Sequence, residues 1–186
     1  MNTTWGFILR AKHWQIFCLL FGLFIGWNVA IIRSISATER SPQDFASIGP
    51  LLGSVVAVSM FCMLAWLWST GSFHSSIVFP ALRLKMGFFR FALIYPALYI
   101  FIFLALFQSI STKPALFAII FPFHCFGMFC IFYDFYFVPK NLILAETCKP
   151  ASFNDCAGPF VLIWFFPVGV WFIQPRINRL YSQAGR

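Results

Sequence analysis

The sequence predicts an all-α integral membrane protein with four transmembrane helices and a short fifth apolar segment. Of the 186 residues 61% are apolar and only 10% are charged, whereas a soluble domain carries about 25% charged residues. The apolar residues form long uncharged runs that suit membrane-spanning helices, and the 13 Lys and Arg residues lie mostly between these runs. No single soluble core could bury this much apolar surface. Residues 1–186 are therefore predicted to form one polytopic membrane domain.

The first predicted span covers residues 14–32 and contains no charged residue. A short basic head with Arg10 and Lys12 precedes it, an arrangement that secretory signal peptides share. The run is longer than the apolar region of a signal peptide, and Arg33 follows it before any small-residue cleavage site. We therefore expect a retained transmembrane helix.

Three further spans are predicted at residues 50–68, 91–107 and 115–137. Pro50 opens the second of them, since proline suits the first turn of a helix. Polar residues in the intervals indicate connectors, the longest of them at 33–49, 69–90 and 138–157. His74 lies among serines in the second of these connectors and is expected to be a solvated loop residue.

The fifth apolar segment covers residues 158–173. Its uncharged part, 160–173, would be roughly 21 Å long as a helix, which is short against a hydrocarbon core of about 30 Å. Pro167 and Gly169 weaken a helix near its middle, so we expect a bend there, flanked by Trp164 and Trp171. Two structures fit this pattern: a short kinked span, or a re-entrant segment that dips into the membrane and returns. Either one is expected to end at Gln174-Pro175.

The basic residues predict the orientation. If the last segment is re-entrant, ten of the 13 Lys and Arg residues lie on one side and three on the other; if it spans, the division is seven to six. The positive-inside rule favours the first arrangement, with four spans and both termini in the cytoplasm. The net charge of +8 then indicates contact with anionic lipid rather than with nucleic acid. The expected interfacial anchors are Arg83, Lys85, Arg90, Arg176 and Arg179.

The fourth span carries the ionisable residues that fall inside predicted spans, His124 and Asp134. They are ten positions apart, about 15 Å along a helix, so they cannot touch. An ionisable group inside a membrane indicates proton or ion handling, but a neutral histidine can also serve a structural role through one hydrogen bond between helices. The sequence predicts no catalytic residue, cofactor or metal site. The possible ligands that follow this span match no zinc spacing: Glu146, Cys148, Asp155 and Cys156.

The last third of the chain contains the motif Trp164-Phe-Phe-Pro167-Val-Gly169-Val-Trp171-Phe-Ile173-Gln174-Pro175-Arg176-Ile-Asn178. Phe153-Asn-Asp155 and Gly158-Pro-Phe precede it, and the runs 127–133 and 137–140 lie further upstream. These residues resemble the C-terminal end of a group of small, uncharacterised bacterial multi-pass membrane proteins. The resemblance implies a location in the bacterial inner membrane and implies no activity.

Together these features favour a non-enzymatic accessory or scaffolding subunit. Such a protein acts through helix packing and lipid contact, and it associates with another membrane protein or with itself. The alternative is a small transporter or channel-forming oligomer that uses His124 and Asp134. A membrane enzyme has the least support, because no motif pairs a nucleophile with a base.

Overall fold

The computed structural model describes residues 6–22, 25, 26, 28, 29, 32, 33, 42–112 and 114–184, which fold mainly into helices. Two short helices come first. Helix α1 is Gly6–Arg10 and helix α2 is His13–Phe17, which continues as a π-helical turn, Cys18–Gly22. Residues 25, 26, 28, 29, 32 and 33 are also helical. The other positions of the predicted first span at 14–32 lie outside the described residues.

Three long helices follow and form most of the bundle. Each contains a stretch that is long and apolar enough to cross a membrane, so the described part of the chain is that of a helical membrane protein. They are α3, Pro42–Ile77; α4, Met86–Thr112; and α5, Pro114–Thr147, with the apolar stretches Gly53–Ile77, Met86–Leu106 and Ala115–Thr147. All three helices extend beyond the predicted spans at 50–68, 91–107 and 115–137.

The expected connector at 69–90 is mostly helical, and the prediction for His74 is wrong. Serine and threonine suggested a loop, but here their hydroxyls donate to carbonyls of the preceding turn, as Ser69 does to Ala65 (2.7 Å) and Thr70 does to Trp66 (2.8 Å). Such bonds let a helix carry polar residues without solvent. Helix α3 therefore continues to Ile77, and His74 is fully buried. A 3₁₀ turn, Pro80–Leu82, occupies the short connection that remains.

Helix α5 also continues past its predicted end at 137 and includes Pro139. Asn141 donates to the Phe137 carbonyl (2.9 Å), and the Lys140 ammonium donates to the Tyr136 hydroxyl (3.0 Å), so polar groups in this part have partners on the same helix. The helix ends at Thr147, and the next residue, Cys148, has a left-handed φ of 54°. Its N–H donates to the Leu144 carbonyl (3.0 Å), as in an αL C-cap. The first ten residues of the expected connector 138–157 are thus helical.

The C-terminal segment is a helical hairpin. Helix α6, Phe153–Trp164, and helix α7, Phe166–Ala184, meet at Phe165 (φ −89°, ψ 55°). Pro167 lies in the first turn of α7. The expected end at Gln174-Pro175 is wrong, because α7 continues through Pro175 to Ala184. One face of α7 is buried at helical spacing: Phe166, Gly169, Val170, Ile173, Gln174, Ile177 and Leu180.

Side-chain contacts give the directions of the long helices. Helix α4 is antiparallel to α3, since Gly71 lies against Phe89 while Gly53 lies against Leu104. It is also antiparallel to α5, because Phe89 stacks on Phe137 (4.2 Å between ring centroids) and Tyr99 contacts His124. Helices α3 and α5 therefore run parallel and end at the same end of the bundle.

The hairpin packs against this pair of helices. Helix α6 runs against α5, with Phe153 on Tyr136 and Trp164 on Phe132. Helix α7 returns along α3, where Phe166 contacts Trp66 and Tyr181 contacts Phe73. The start of α6 and the end of α7 thus lie on the side of the bundle where α3 and α5 end. We call this side the basic end, because many Lys and Arg residues lie there. Its cationic residues include Arg10, Arg83, Arg90, Lys140, Lys149, Arg176 and Arg179.

Candidate functional site

Asp134 lies on the buried face of α5. Its neighbours on that face recur every three or four residues: Cys130, Phe137, Val138, Asn141 and Leu142. The side chain is fully buried, and neither carboxylate oxygen has a hydrogen-bond partner among the described residues. A buried charge of this kind is costly unless it is paired.

His124 faces the opposite way. It is exposed on the outer side of α5, where its Nδ1 atom lies 3.3 Å from the hydroxyl of Tyr99 on α4. Tyr95, one turn away on α4, donates to the Phe123 carbonyl (3.0 Å). His124 and Asp134 therefore belong to different surfaces, one on the outside of the bundle and one inside it.

Two further buried polar residues accompany Asp134. His74 on α3 is fully buried, and neither ring nitrogen has a partner in the described part of the chain. Asn141 on α5 is also fully buried, and its Oδ1 atom has no partner there. Sequence reasoning missed His74 because serines surround it. The absence of charge between Ser69 and Ile77 was the signal that α3 continues.

The register of the helices brings these residues to one region. Phe89 contacts both Gly71 and Phe137, so these two positions share a level along the parallel helices α3 and α5. His74 lies one turn beyond this level on α3 and Asn141 lies one turn beyond it on α5. Asp134 lies about one turn before it. We call Asp134, Asn141 and His74 the interior polar set.

The predicted anchors Arg176 and Arg179 converge on Glu146 at the basic end. Arg176 makes a two-pronged ion pair with the carboxylate, with Nε 2.9 Å from Oε1 and an Nη2 contact to Oε2. Arg179 adds a contact of 3.4 Å to Oε1. The pair connects the end of α5 to α7. Glu146 and Arg176 also lie within electrostatic reach of His74, so the interior polar set borders this ionic cluster.

The other three predicted anchors lie near the connection between α3 and α4. Arg83 donates to the carbonyls of Ser76 and Val78 (3.3 Å each) and so satisfies the end of α3. The Arg90 guanidinium lies over the Trp68 ring, 5.9 Å from its centroid. Lys85 is exposed.

Gln174 is a polar junction that sequence reasoning interpreted only as a helix end. Its Oε1 atom accepts from the Trp66 indole (2.9 Å), and its Nε2 atom lies 3.0 Å from each of the Ile8 and Ala11 carbonyls. Asn178 also donates to the Ala11 carbonyl (3.1 Å). This fully buried amide therefore connects α1, α3 and α7, which are far apart in the chain.

The residues predicted to surround the bend lie on both arms of the hairpin. Gly169 packs so closely that a Cβ atom there would overlap the Leu162 backbone. Trp164 contacts Phe132 (4.6 Å between centroids), and Trp171 contacts the His13 ring (4.5 Å). The turn itself is at Phe165, two residues before Pro167.

The four possible metal ligands after α5 serve other roles or lie apart. Glu146 pairs with arginines, Asp155 bonds to Ser152, Cys148 is exposed and Cys156 is buried as a free thiol. Among the described residues no group of three or more His, Cys, Asp or Glu residues could hold a metal ion.

Comparisons of the chain with protein-family models, with curated proteins and with solved structures find no match. The resemblance of the last third of the chain to bacterial multi-pass membrane proteins stays a prediction from its residues.

Proposed function

We propose that this chain is a non-enzymatic accessory or scaffolding subunit that binds a transmembrane helix of another membrane protein on the outer side of α4 and α5. The observation that carries this proposal is that His124 is exposed on an apolar span, beside its half-buried partner Tyr99. Hydrogen-bonding groups that face lipid have no water to satisfy them, whereas a second helix can supply partners.

The shape of the same surface supports a helix as the occupant. An open groove of about 420 Å³ lies between α4 and α5. Its lining is apolar and aromatic, and the hydroxyls of its two tyrosines are the polar groups that its residues offer, so it suits an apolar helix that presents one or two hydrogen-bonding side chains. The groove is lined by Tyr95, Leu98, Tyr99, Ile102, Phe103, Leu106, Ile120 and Phe123.

Photo-crosslinking in the native membrane tests this proposal. A photoreactive amino acid at Leu98 or Ile102 in the groove is expected to capture one defined membrane protein. The same group at Phe172, which is similarly exposed on α7, serves as the control and is expected to give only lipid adducts. His124→Phe should reduce the crosslink at Leu98 without lowering thermal stability in detergent. Equal, diffuse labelling at Leu98 and Phe172 would contradict the proposal, and capture of a differently tagged copy of this chain would replace the partner with a second copy.

We further propose a topology of four spans with a re-entrant hairpin, α6–α7, and with both termini in the cytoplasm of a bacterial cell. The hairpin supports a re-entrant path because it starts and ends at the basic end. Its tip, near Trp66, is roughly 16 Å from the end of α3, counted as 11 residues of helix. This depth is about half of a hydrocarbon core. The concentration of Lys and Arg at this end favours the cytoplasm and contact with anionic lipid.

The second candidate function is a small transporter or channel-forming oligomer. It is favoured by the buried, unpaired Asp134, while His124 on the outer face belongs to the partner surface of the first proposal. Purified protein in liposomes is expected, under this hypothesis, to conduct protons or small cations, and Asp134→Asn should abolish the flux. Flux that Asp134→Asn leaves unchanged would remove Asp134 from the pathway.

A further inference from the structure

The interior polar set contains five nitrogen and oxygen atoms without a hydrogen-bond partner among the described residues. They are both Asp134 oxygens, both His74 ring nitrogens and Oδ1 of Asn141. Leaving a buried polar atom unbonded costs about 1–3 kcal/mol, and an isolated ionised carboxylate costs much more. Several such atoms in one region of a membrane bundle indicate a site for a polar ligand rather than simple packing.

The groups around Asp134 indicate which ligand it binds. Cys130 and Tyr133 on its own helix lie within electrostatic reach but offer no positive charge. Because no cationic side chain of the described residues bonds to Asp134, adding a proton is the least costly way to remove the buried charge. Other titratable or charged groups on the helices around it include Cys62 and His74 on α3, Arg90, Tyr95 and Tyr99 on α4, Tyr136, Lys140 and Glu146 on α5, Cys156 on α6, and Arg176 on α7. The basic members of this set, Arg90, Lys140 and Arg176, make other contacts.

A polar route leads from Asp134 toward the basic end. Asn141 lies seven residues further along the same helix face, about 10 Å away along the axis, a distance that a direct hydrogen bond cannot cover and that bridging water could. His74 lies near the level of Asn141 and within electrostatic reach of Glu146 and Arg176. Arg179, which contacts Glu146, is 64% exposed, so the ionic cluster reaches solvent.

We propose that Asp134 is a proton-binding site inside the bundle, and that Asn141 and His74 line a hydrated route from it to the basic end. The Asp134 carboxylate accepts one proton that water delivers along this route and later returns it the same way; no other bond forms or breaks. The inference applies equally to an accessory subunit. For a transporter it names the proton as the ligand.

Infrared spectroscopy of the full chain in liposomes tests proton binding. The carbonyl band of a protonated carboxyl group is expected at neutral pH, to disappear reversibly as the pH is raised, and to be absent from Asp134→Asn. A lipid-soluble carbodiimide, which reacts with protonated carboxyl groups, should modify Asp134 and spare the exposed Asp155. No Asp134 band at neutral pH, or a band that no pH removes, would overturn the proposal. Loss of the Leu98 crosslink would instead count against the accessory function.

Thiol labelling tests the route. In a background without the six natural cysteines, Asn141→Cys is expected to react with a small water-soluble thiol reagent, while Leu142→Cys, equally buried on the same helix, should not. His74→Cys provides a second probe if Asn141→Cys folds poorly. Equal, negligible labelling at all three positions would overturn the hydrated route.

Discussion

At the residue scale, the hairpin depends on Gly169, because glycine has no Cβ atom. Its backbone angles are ordinary, since no described glycine has a positive φ. What matters is space: α7 folds back over the last turn of α6, and any Cβ atom at 169 would overlap the Leu162 carbonyl. Backbone atoms cannot move aside as the end of a flexible side chain can.

We therefore predict that Gly169→Ala destabilises the protein by about 3 kcal/mol, the upper part of the range for overpacking. The matched control is Gly158→Ala in α6, where nothing lies within 4 Å of the new methyl group. That change should stabilise α6 by up to about 1 kcal/mol through helix propensity. Thermal unfolding in detergent measures both, and equal shifts for the two variants would contradict the close approach at 169.

Gln174 provides a second prediction at this scale. Replacing it with Leu leaves the Trp66 indole N–H without its partner and removes the amide's bonds to the Ile8 and Ala11 carbonyls, at a cost of about 1–3 kcal/mol. The N-terminal segment should then detach, so trypsin should cut faster after Arg10 and Lys12. Gln183→Leu, on the exposed end of α7, is the control and should change stability by less than about 0.5 kcal/mol. Unchanged cleavage in Gln174→Leu would mean that aromatic contacts alone hold the segment.

At the scale of elements, the start of α6 depends on a capping box. The Ser152 hydroxyl and backbone N–H donate to the Asp155 carboxylate (2.7 and 2.8 Å), and Ser152 accepts from the Asp155 N–H. Both bonds favour the ionised acid, so they lower the pKa of Asp155 below its ordinary value of 3.8. This carboxyl lies outside the spanning helices, where water sets its protonation.

The direction of this shift predicts the pH dependence of α6. A lowered pKa means that the cap stabilises the fold fully above pH 3.8, the unfolded value, and loses this contribution as the pH falls through the folded value. On going to acid, the first turn of α6 should therefore lose more hydrogen-exchange protection in the wild type than in Asp155→Asn, which has no carboxylate to protonate at this position. Parallel loss of protection in both proteins would exclude Asp155 as the cause.

The long helices show a related point about proline and hydroxyl residues. Pro139 and Pro175 lie inside α5 and α7, and Ser69 and Thr70 lie inside α3. Read locally, each is a signal for a loop or a helix end. Packing overrides these signals. A proline or hydroxyl residue weakens the helix at one position, whereas the buried contacts and backbone hydrogen bonds of the whole helix stabilise it by more.

At the scale of the whole molecule, the positions of the chain ends decide between a re-entrant hairpin and a fifth span. We predict that a cysteine replacing Ser182 is labelled from the cytoplasmic side, and one replacing Lys113 from the opposite side, in a background free of natural cysteines. The reason is that Tyr181 and Arg10 are in contact at the basic end, where the cationic residues concentrate. Labelling of both positions from one side would contradict the proposed topology.

The class of protein could be predicted from the sequence because hydropathy is summed over many residues. A helical membrane protein with long apolar helices follows from the composition and the apolar runs, and the run at 115–137 places Asp134 inside a span. His124 was an equal candidate by the same reasoning, since hydropathy does not tell which face of α5 points inward. The C-terminal segment was predicted to be too short and too bent to be a simple span, with its bend at Pro167 and Gly169.

Only the tertiary structure decided which polar groups act together. Arg176 pairs with Glu146, which is 30 positions away, and Gln174 bonds to Ile8, which is 166 positions away. The burial of His74 likewise depends on other helices. The local sequence does not indicate such partners. When its neighbours in space are unknown, the same glutamine or arginine is interpreted as a helix end or an interfacial anchor. The turn at Phe165 was decided likewise, since it depends on how closely α7 can approach α6 and not on the proline that follows it.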